Sequence, residues 1–348
     1  MTATAPIRIL FTRGLSSTAA VVASLREDMA PGEFVLHASH PSPAGALESF
    51  ADRVHPEPRG ADDAAHLAWL TALCERERID LVWPQSRIRL LLDASLACQD
   101  GASPRWLLPV PSAEVLERIE DKAAFLSGLE TDEPDIPLPA WRQVRNGAEF
   151  RDARAALRET VAGPLCIKPA RGIYGSGFRI LDATRTPYRR WLDNDILYAA
   201  DDEIAALLDA NPEGRTFLLM EYLPGAERSL DCLARRGELL ACVVRRKGRE
   251  RWQLIEDHPP SQALARRLCA RFGLHGVINI QTRESAAGVP GLLEINPRLS
   301  GGIDQCRAGG CNLPLAALRM ALDRLPSDWS PAPAQGARVG LLERGARF

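Results

Sequence analysis

Over its first hundred or so residues the chain alternates short apolar runs with stretches of helical spacing. That alternation restricts the fold more than any other feature. Ile7 to Phe11 is a short apolar run, and Ser16 to Met29 follows with Ala, Val and Leu at helical intervals. Phe34 to Ala38 reads as a strand, Asp62 to Arg76 as a helix, and Ile79 to Trp83 as a strand closed by Pro84. Ile88 to Cys98 then reads as a helix and Leu107 to Val110 as a last strand. Strands that alternate with helices imply parallel crossovers, so this region is expected to be a doubly wound α/β layer. Gly14 lies at the first strand-to-helix turn, but no G-x-G-x-x-G accompanies it, and a dinucleotide site is not expected there.

The pattern changes at Pro111–Ser112. Ser112 is a suitable N-cap and Glu114 suits a first helical turn, predicting a helix that runs through Asp121, Lys122 and Phe125. Thr131 to Pro139, rich in Pro and Asp, reads as a linker. Beyond it strands and hairpins dominate: Leu165–Pro169, Phe178–Leu181, Thr216–Tyr222, Leu230–Ala234, Leu239–Arg245, Val277–Thr282 and Gly291–Ile295. Helices are expected at Asp202–Ala210, Ser261–Phe272 and Leu313–Leu322, making an α+β region after an α/β one.

Composition narrows the function classes. The 43 basic residues nearly balance 45 acidic ones, for a net charge of -2. A phosphate-backbone binder would show a basic excess, so no nucleic-acid partner is expected. No apolar run reaches the length of a membrane span, and the start lacks the basic and apolar regions of a signal peptide. The eight cysteines are scattered without a Cys-x-x-Cys, as in a reduced, cytoplasmic protein. His37 and His40 are the only histidines close in sequence. They flank a strand end, so no zinc site is expected from them. Only three basic residues are lysines, Lys122, Lys168 and Lys247; the other forty are arginines. Arginine replaces lysine on a solvated surface but not where a compact ammonium is required. Either those three positions are special, or a composition bias left three at random.

Three segments carry chemistry. Lys168-Pro-Ala-Arg-Gly172-Ile-Tyr-Gly175-Ser176-Gly177-Phe178 delivers a lysine from a strand into a glycine-rich turn. Such a turn lets backbone N–H groups approach a polyphosphate, although by itself it reads equally as a hairpin. The segment does not fit the P-loop, which ends in Gly-Lys-Ser/Thr before a helix. In Glu221-Tyr222-Leu223-Pro-Gly225-Ala-Glu227 an apolar strand runs into an acidic bend. It suits either a plain connection or the presentation of backbone groups to a base and of Glu227 to ribose hydroxyls. In Leu292-Leu-Glu294-Ile-Asn296-Pro-Arg298, Glu294 and Asn296 share one strand face. Gln281, on the preceding strand, lies opposite them if the two strands pair. One carboxylate and two amide oxygens suit Mg²⁺, and a solvated hairpin face is the alternative.

Taken in order, these segments resemble the ATP-grasp superfamily over roughly residues 110–320, nearest its carboxylate–amine ligase and carbamoyl-phosphate-synthetase-like branch. The resemblance implies an N-terminal α/β domain over 1–111 and an ATP-grasp domain over 112–348, with a small lid-like subdomain about 160–220. It implies ATP and Mg²⁺ as cofactors, with Mn²⁺ as a substitute. Lys122 and Lys168 would contact ATP phosphates, and the turn with Gly175, Ser176 and Gly177 would close over them. Glu221, Tyr222 and Leu223 would form the adenine hinge, with Glu227 at the ribose. Gln281, Glu294 and Asn296 would hold the metal, and Arg298 would sit near the reacting phosphate. Lys247 falls where related ligases place basic groups facing the acyl substrate, although a solvated turn fits it too. Many members carry a second acid where Gln281 stands. Arg171, Ile173 and Tyr174 make the glycine turn bulkier than usual, and Pro187–Tyr198 looks like an insertion, either a lid, a partner surface or a self-packed aromatic patch.

The implied activity is an ATP-dependent ligase that activates a carboxylate as an acyl phosphate for attack by an amine. Its partners would be small-molecule carboxylates and amines, with a homodimer left open. A bicarbonate- or carbamate-phosphorylating enzyme and a silent ATP-binding sensor are the alternatives.

Overall fold

The computed structural model describes residues 6–13, 17–42, 46–95, 104–172, 175–248 and 252–341. The chain divides into two compact units. The first comprises Met1–Leu116, Arg228–Ile280 and Ile295–Phe348, and the second Glu117–Glu227 and Gln281–Glu294.

In the first unit, five parallel strands lie in the order Arg53–Pro56, Phe34–His40, Ile7–Phe11, Leu81–Trp83, Arg105–Trp106. Alternation along the central strand explains the layering. Ile9 and Phe11 pack on one face with Val21, Val22 and Leu25 of the helix Ser17–Asp28. Leu10, on the other face, packs with Leu70, Leu73 and Leu91. Burying both faces of a parallel sheet is what a doubly wound layer requires. The chain steps outward from Ile7–Phe11 on one side and returns on the other. The strand order therefore reverses between Ile7–Phe11 and Leu81–Trp83.

A second sheet has the order Pro290–Asn296, Gly276–Glu284, Glu227–Arg235, Glu238–Lys247, Trp252–Glu256, Arg338–Gly340. Inside it Arg245, 2% exposed, donates from Nε to Asp231 Oδ2 at 2.7 Å and from Nη2 to Ser229 and Ser300 Oγ at 3.1 and 3.0 Å. Asn279 Nδ2 donates to the other Asp231 oxygen at 3.1 Å. A buried charge pair with its remaining valences satisfied in this way is tolerated in a core.

The second unit holds a five-stranded sheet in the order Trp141–Val144, Phe217–Glu221, Leu165–Pro169, Arg179–Leu181, Tyr198–Ala199. The helices Gly147–Arg158 and Asp201–Asp209 cover it, burying Phe150, Leu157, Ile204 and Leu208 against Val144, Leu165, Ile167 and Leu219.

Several local expectations change. The single helix expected from Ser112 is two, Ala113–Glu120 and Lys122–Asp132. Asp121 interrupts it by leaving helical geometry and accepting the Ala123 and Ala124 N–H groups as an N-cap. The strand expected at Leu107–Val110 lies earlier, at Arg105–Trp106. Lys247 ends a strand opposite Gln253 and does not sit in a turn. His37 pairs with His55 on the neighbouring strand, Nδ1 to Nε2 at 2.9 Å, with Glu77 close by. The expectations placed on Gly14, Cys98, Ile173 and Tyr174 lie outside the described residues.

Candidate active site

A cavity of about 230 Å³ lies within the second unit. Its apolar end is made by Cys166, Phe178, Met220, Leu223 and Leu293, and its polar end by Lys122, Lys168, Gln281 and Glu294, with Gly172, Gly175 and Ser176 over it. Glu221, Tyr222, Glu227 and Arg283 complete the lining.

Each group has a local reason for its position. Lys122 is the first residue of the helix capped by Asp121, so the break in the helical run aims its side chain. Its Nζ donates to Gly172 O at 3.1 Å and stands 3.6 Å from Glu294 Oε2. Lys168 lies on Leu165–Pro169, opposite Leu218 of the next strand. Desolvation pulls its ammonium below the ordinary lysine value. Glu294 opposes that shift and Lys122 adds to it. Two ammonium groups thus face one carboxylate, leaving positive charge at this end. Gly177, between the lining residues Ser176 and Phe178, has φ +75°, and a Cβ there would meet Pro169 Cγ at 2.8 Å. The turn closes this tightly only with glycine.

At the other end the chain leaves the strand Phe217–Glu221 as a bend. The Glu221 N–H donates to Ala140 O and the Tyr222 N–H to Pro164 O. The next donor along, the Leu223 N–H, has no partner among the described residues. An unpartnered N–H beside an apolar slot suits an acceptor on a flat heteroaromatic ring. Gly225 allows this bend to pass Glu284, whose Cβ would lie 2.6 Å from a Cβ at position 225. Burial raises the Cys166 thiol to about 12, so it remains a neutral part of the slot.

Ten of the fourteen positions with an expected role therefore line one cavity. They are Lys122, Lys168, Gly175, Ser176, Glu221, Tyr222, Leu223, Glu227, Gln281 and Glu294. Asn296, Arg298 and Lys247 belong to the first unit, where Arg298 Nη1 donates to Asn296 Oδ1 at 2.5 Å. Arg283 was not anticipated. It lies 3.7 Å from Glu227, donates to Tyr222 Oη at 2.7 Å and stacks over the Tyr222 ring at 4.6 Å. Its signal was its place two residues beyond Gln281, on the same strand face.

The chain carries the ATP-grasp fold, as its likeness to solved structures shows. Residues 213–344 match the family model described as ATP-grasp in the biosynthetic pathway with Ter operon. Carnosine synthase 1 of Gallus gallus is 39% identical over 142 residues, which are 35% of this chain and 15% of that one. The match thus spans less than a fifth of that relative's length. Among solved structures, the ADP complex of N5-carboxyaminoimidazole ribonucleotide synthetase superposes with a TM-score of 0.64 at 16% identity, covering 92% of this chain and 78% of that one. L-amino acid ligase from Bacillus licheniformis superposes at 0.63 with 14% identity, covering 96% and 79%. No helix among the described residues is long and apolar enough to cross a membrane.

Proposed function

We propose that the chain is an ATP-dependent carboxylate–amine ligase. The observation that carries this reading is the joint lining of one cavity by two lysines, a carboxylate and a hinge with an unpartnered N–H. ATP fits those groups: the adenine occupies the apolar slot, with a ring nitrogen accepting from the Leu223 N–H. Glu227 accepts from the ribose hydroxyls, with Arg283 holding its carboxylate in place. Lys122 and Lys168 offset the charge of the phosphates, and the Gly175–Gly177 turn excludes water.

The donor set also fits a hard divalent cation, since Glu294 supplies a carboxylate and Gln281 an amide oxygen. Mg²⁺ held there would neutralise charge on the transferring phosphoryl group, and Mn²⁺ has the same ligand preferences. Asn296 is assigned to this set by strand alternation with Glu294, and Arg298 to the acyl phosphate. A carboxylate oxygen attacks the γ-phosphorus, and ADP leaves. An amine nitrogen then attacks the acyl carbon, loses a proton and expels inorganic phosphate. Positioning and charge stabilisation supply the catalysis. The relatives named for carnosine synthesis and amino-acid ligation support this choice of reaction.

The test is mass spectrometry of products from ATP, Mg²⁺ and mixed acids and amines. The expected products are ADP, phosphate and an amide. AMP would overturn the acyl-phosphate route, bicarbonate-dependent ADP release without an organic acid would favour a carboxyphosphate enzyme, and nucleotide binding without turnover would favour a sensor.

A further inference from the structure

A second cavity, of about 350 Å³, lies in the first unit at the carboxyl ends of its parallel strands. Arg13 follows Ile7–Phe11; Glu57, Arg59 and Gly60 follow Arg53–Pro56; Gln85, Ser86 and Arg87 follow Leu81–Trp83. The strand order reverses between Ile7–Phe11 and Leu81–Trp83, and Arg13 and Arg87 flank that point. Open parallel sheets leave a crevice there, with loop residues diverging to either side.

The lining carries both signs of charge. Arg59 is tied down through Nε to Pro41 O at 3.0 Å and through Nη2 to Ser42 Oγ. Arg87 is tied to Asp63 Oδ1 at 2.7 Å and Ala61 O at 3.0 Å, from a backbone in the left-handed region at φ +51°. A non-glycine residue held in that region is a strain that function commonly explains. The Arg13 side chain has no hydrogen bond or ion pair among the described residues. Glu57 is 8% exposed, and its Oε1 accepts from the Arg13 N–H at 2.9 Å and Ser39 Oγ at 2.7 Å. Its Oε2 has no donor among the described residues. That oxygen belongs to a residue lining the cavity, where a ligand can supply the donor.

We propose that this cavity binds a free α-amino acid as its zwitterion, with the carboxylate on Arg13 in the field of Arg59 and Arg87 and the ammonium on Glu57 Oε2. A phosphate or simple carboxylate would leave Glu57 facing an anion. A simple amine would face three guanidinium groups. Only a ligand carrying both charges a few ångströms apart satisfies both walls, and the volume lies at the small end of ligand sites. The proposal names the class of one substrate, and it rests on the ligase reading for its bearing on turnover.

The test uses the full chain with an equimolar mixture of the twenty common L-amino acids in saturation-transfer NMR, followed by titration of the strongest binder. At least one amino acid is expected to bind, and its N-acetyl and carboxamide derivatives to bind at least tenfold more weakly. Arg13→Gln and Glu57→Gln are each expected to weaken it at least tenfold while ADP affinity stays within twofold. Arg13 is exposed, so its variant remains informative if the Glu57 variant does not fold. No amino-acid signal, equal binding of the derivatives or of inorganic phosphate, or undiminished binding in Arg13→Gln would overturn the proposal. Binding without any ATP turnover would sink the ligase reading and leave this site standing. Turnover of amino acids with an unchanged KM in Arg13→Gln would do the reverse.

Discussion

Lys122 Nζ stands 3.6 Å from Glu294 Oε2, so the first residue of one helix and the middle of a distant strand meet at the polar end of one cavity. The pair is mostly shielded, with side chains 11% and 22% exposed, and lies beside a second, desolvated lysine. A polyanion and a divalent cation arriving there would divide the pair, the lysine taking phosphate oxygen and the carboxylate taking metal.

Glu294→Ala is therefore expected to lose about 100-fold or more in ATP turnover, as for removal of one group that stabilises transition-state charge. Circular dichroism and the melting temperature should stay close to those of the parent. Full ADP release by this variant would remove Glu294 from the metal site.

Replacing Lys168 by Arg keeps the charge but forces a planar fork into a space shaped for an ammonium. We expect at least a tenfold fall in kcat/KM for ATP. Lys247→Arg, at a strand end, is expected to change it less than twofold. Equal tolerance at both positions would make the scarcity of lysine a matter of composition alone.

Acid should weaken the first unit through two histidines. Burial, reinforced by His55, lowers His37 to about 4, and burial with Arg236 and Arg235 nearby lowers His275 to about 4. Both start from 6.5, so the unfolded chain binds their protons first as the pH falls. The stability they contribute is complete above about 6.5 and is lost progressively down to about 4. Urea midpoints measured across that window should fall steadily, and His275→Gln should flatten the slope. An unchanged slope would show that other groups set the acid response.

Asp231→Ala would leave Arg245, buried beside it at 2% exposure, without its counter-charge. We expect a loss of about 3–5 kcal/mol by urea denaturation. The double variant Asp231→Leu with Arg245→Met should recover most of it. If the double variant is no better than the single one, the cost lies in packing and not in the stranded charge.

Much of this was legible from sequence because local chemistry and tertiary role agreed. The short apolar run Ile7–Phe11, with helical stretches between strands, pointed to a parallel sheet buried on both faces, and the structure has one. Lys168 and the glycine turn are contiguous, and Glu221 ends the strand paired with Leu165–Pro169, so their joint arrival at one cavity needed only a single hairpin and its neighbour. What escaped depended on long-range pairing. The helix Gly147–Arg158 is an exception, since its buried Phe150, Ala153 and Leu157 stand at helical spacing. Arg283 gains its role only by reaching Glu227 and Tyr222, some sixty residues earlier. The partnership of His37 with His55 depends on the register of adjacent parallel strands, which no spacing rule supplies.

With only three ε-amino groups along 348 residues, the sequence makes amine-directed labelling unusually selective. Two of the three line the same cavity, and Lys168 is shifted toward its neutral, nucleophilic form. An acylating reagent shaped like a nucleotide would thus find its most reactive target inside the pocket it is meant to report on, and the sites it marks could be read from a single peptide digest.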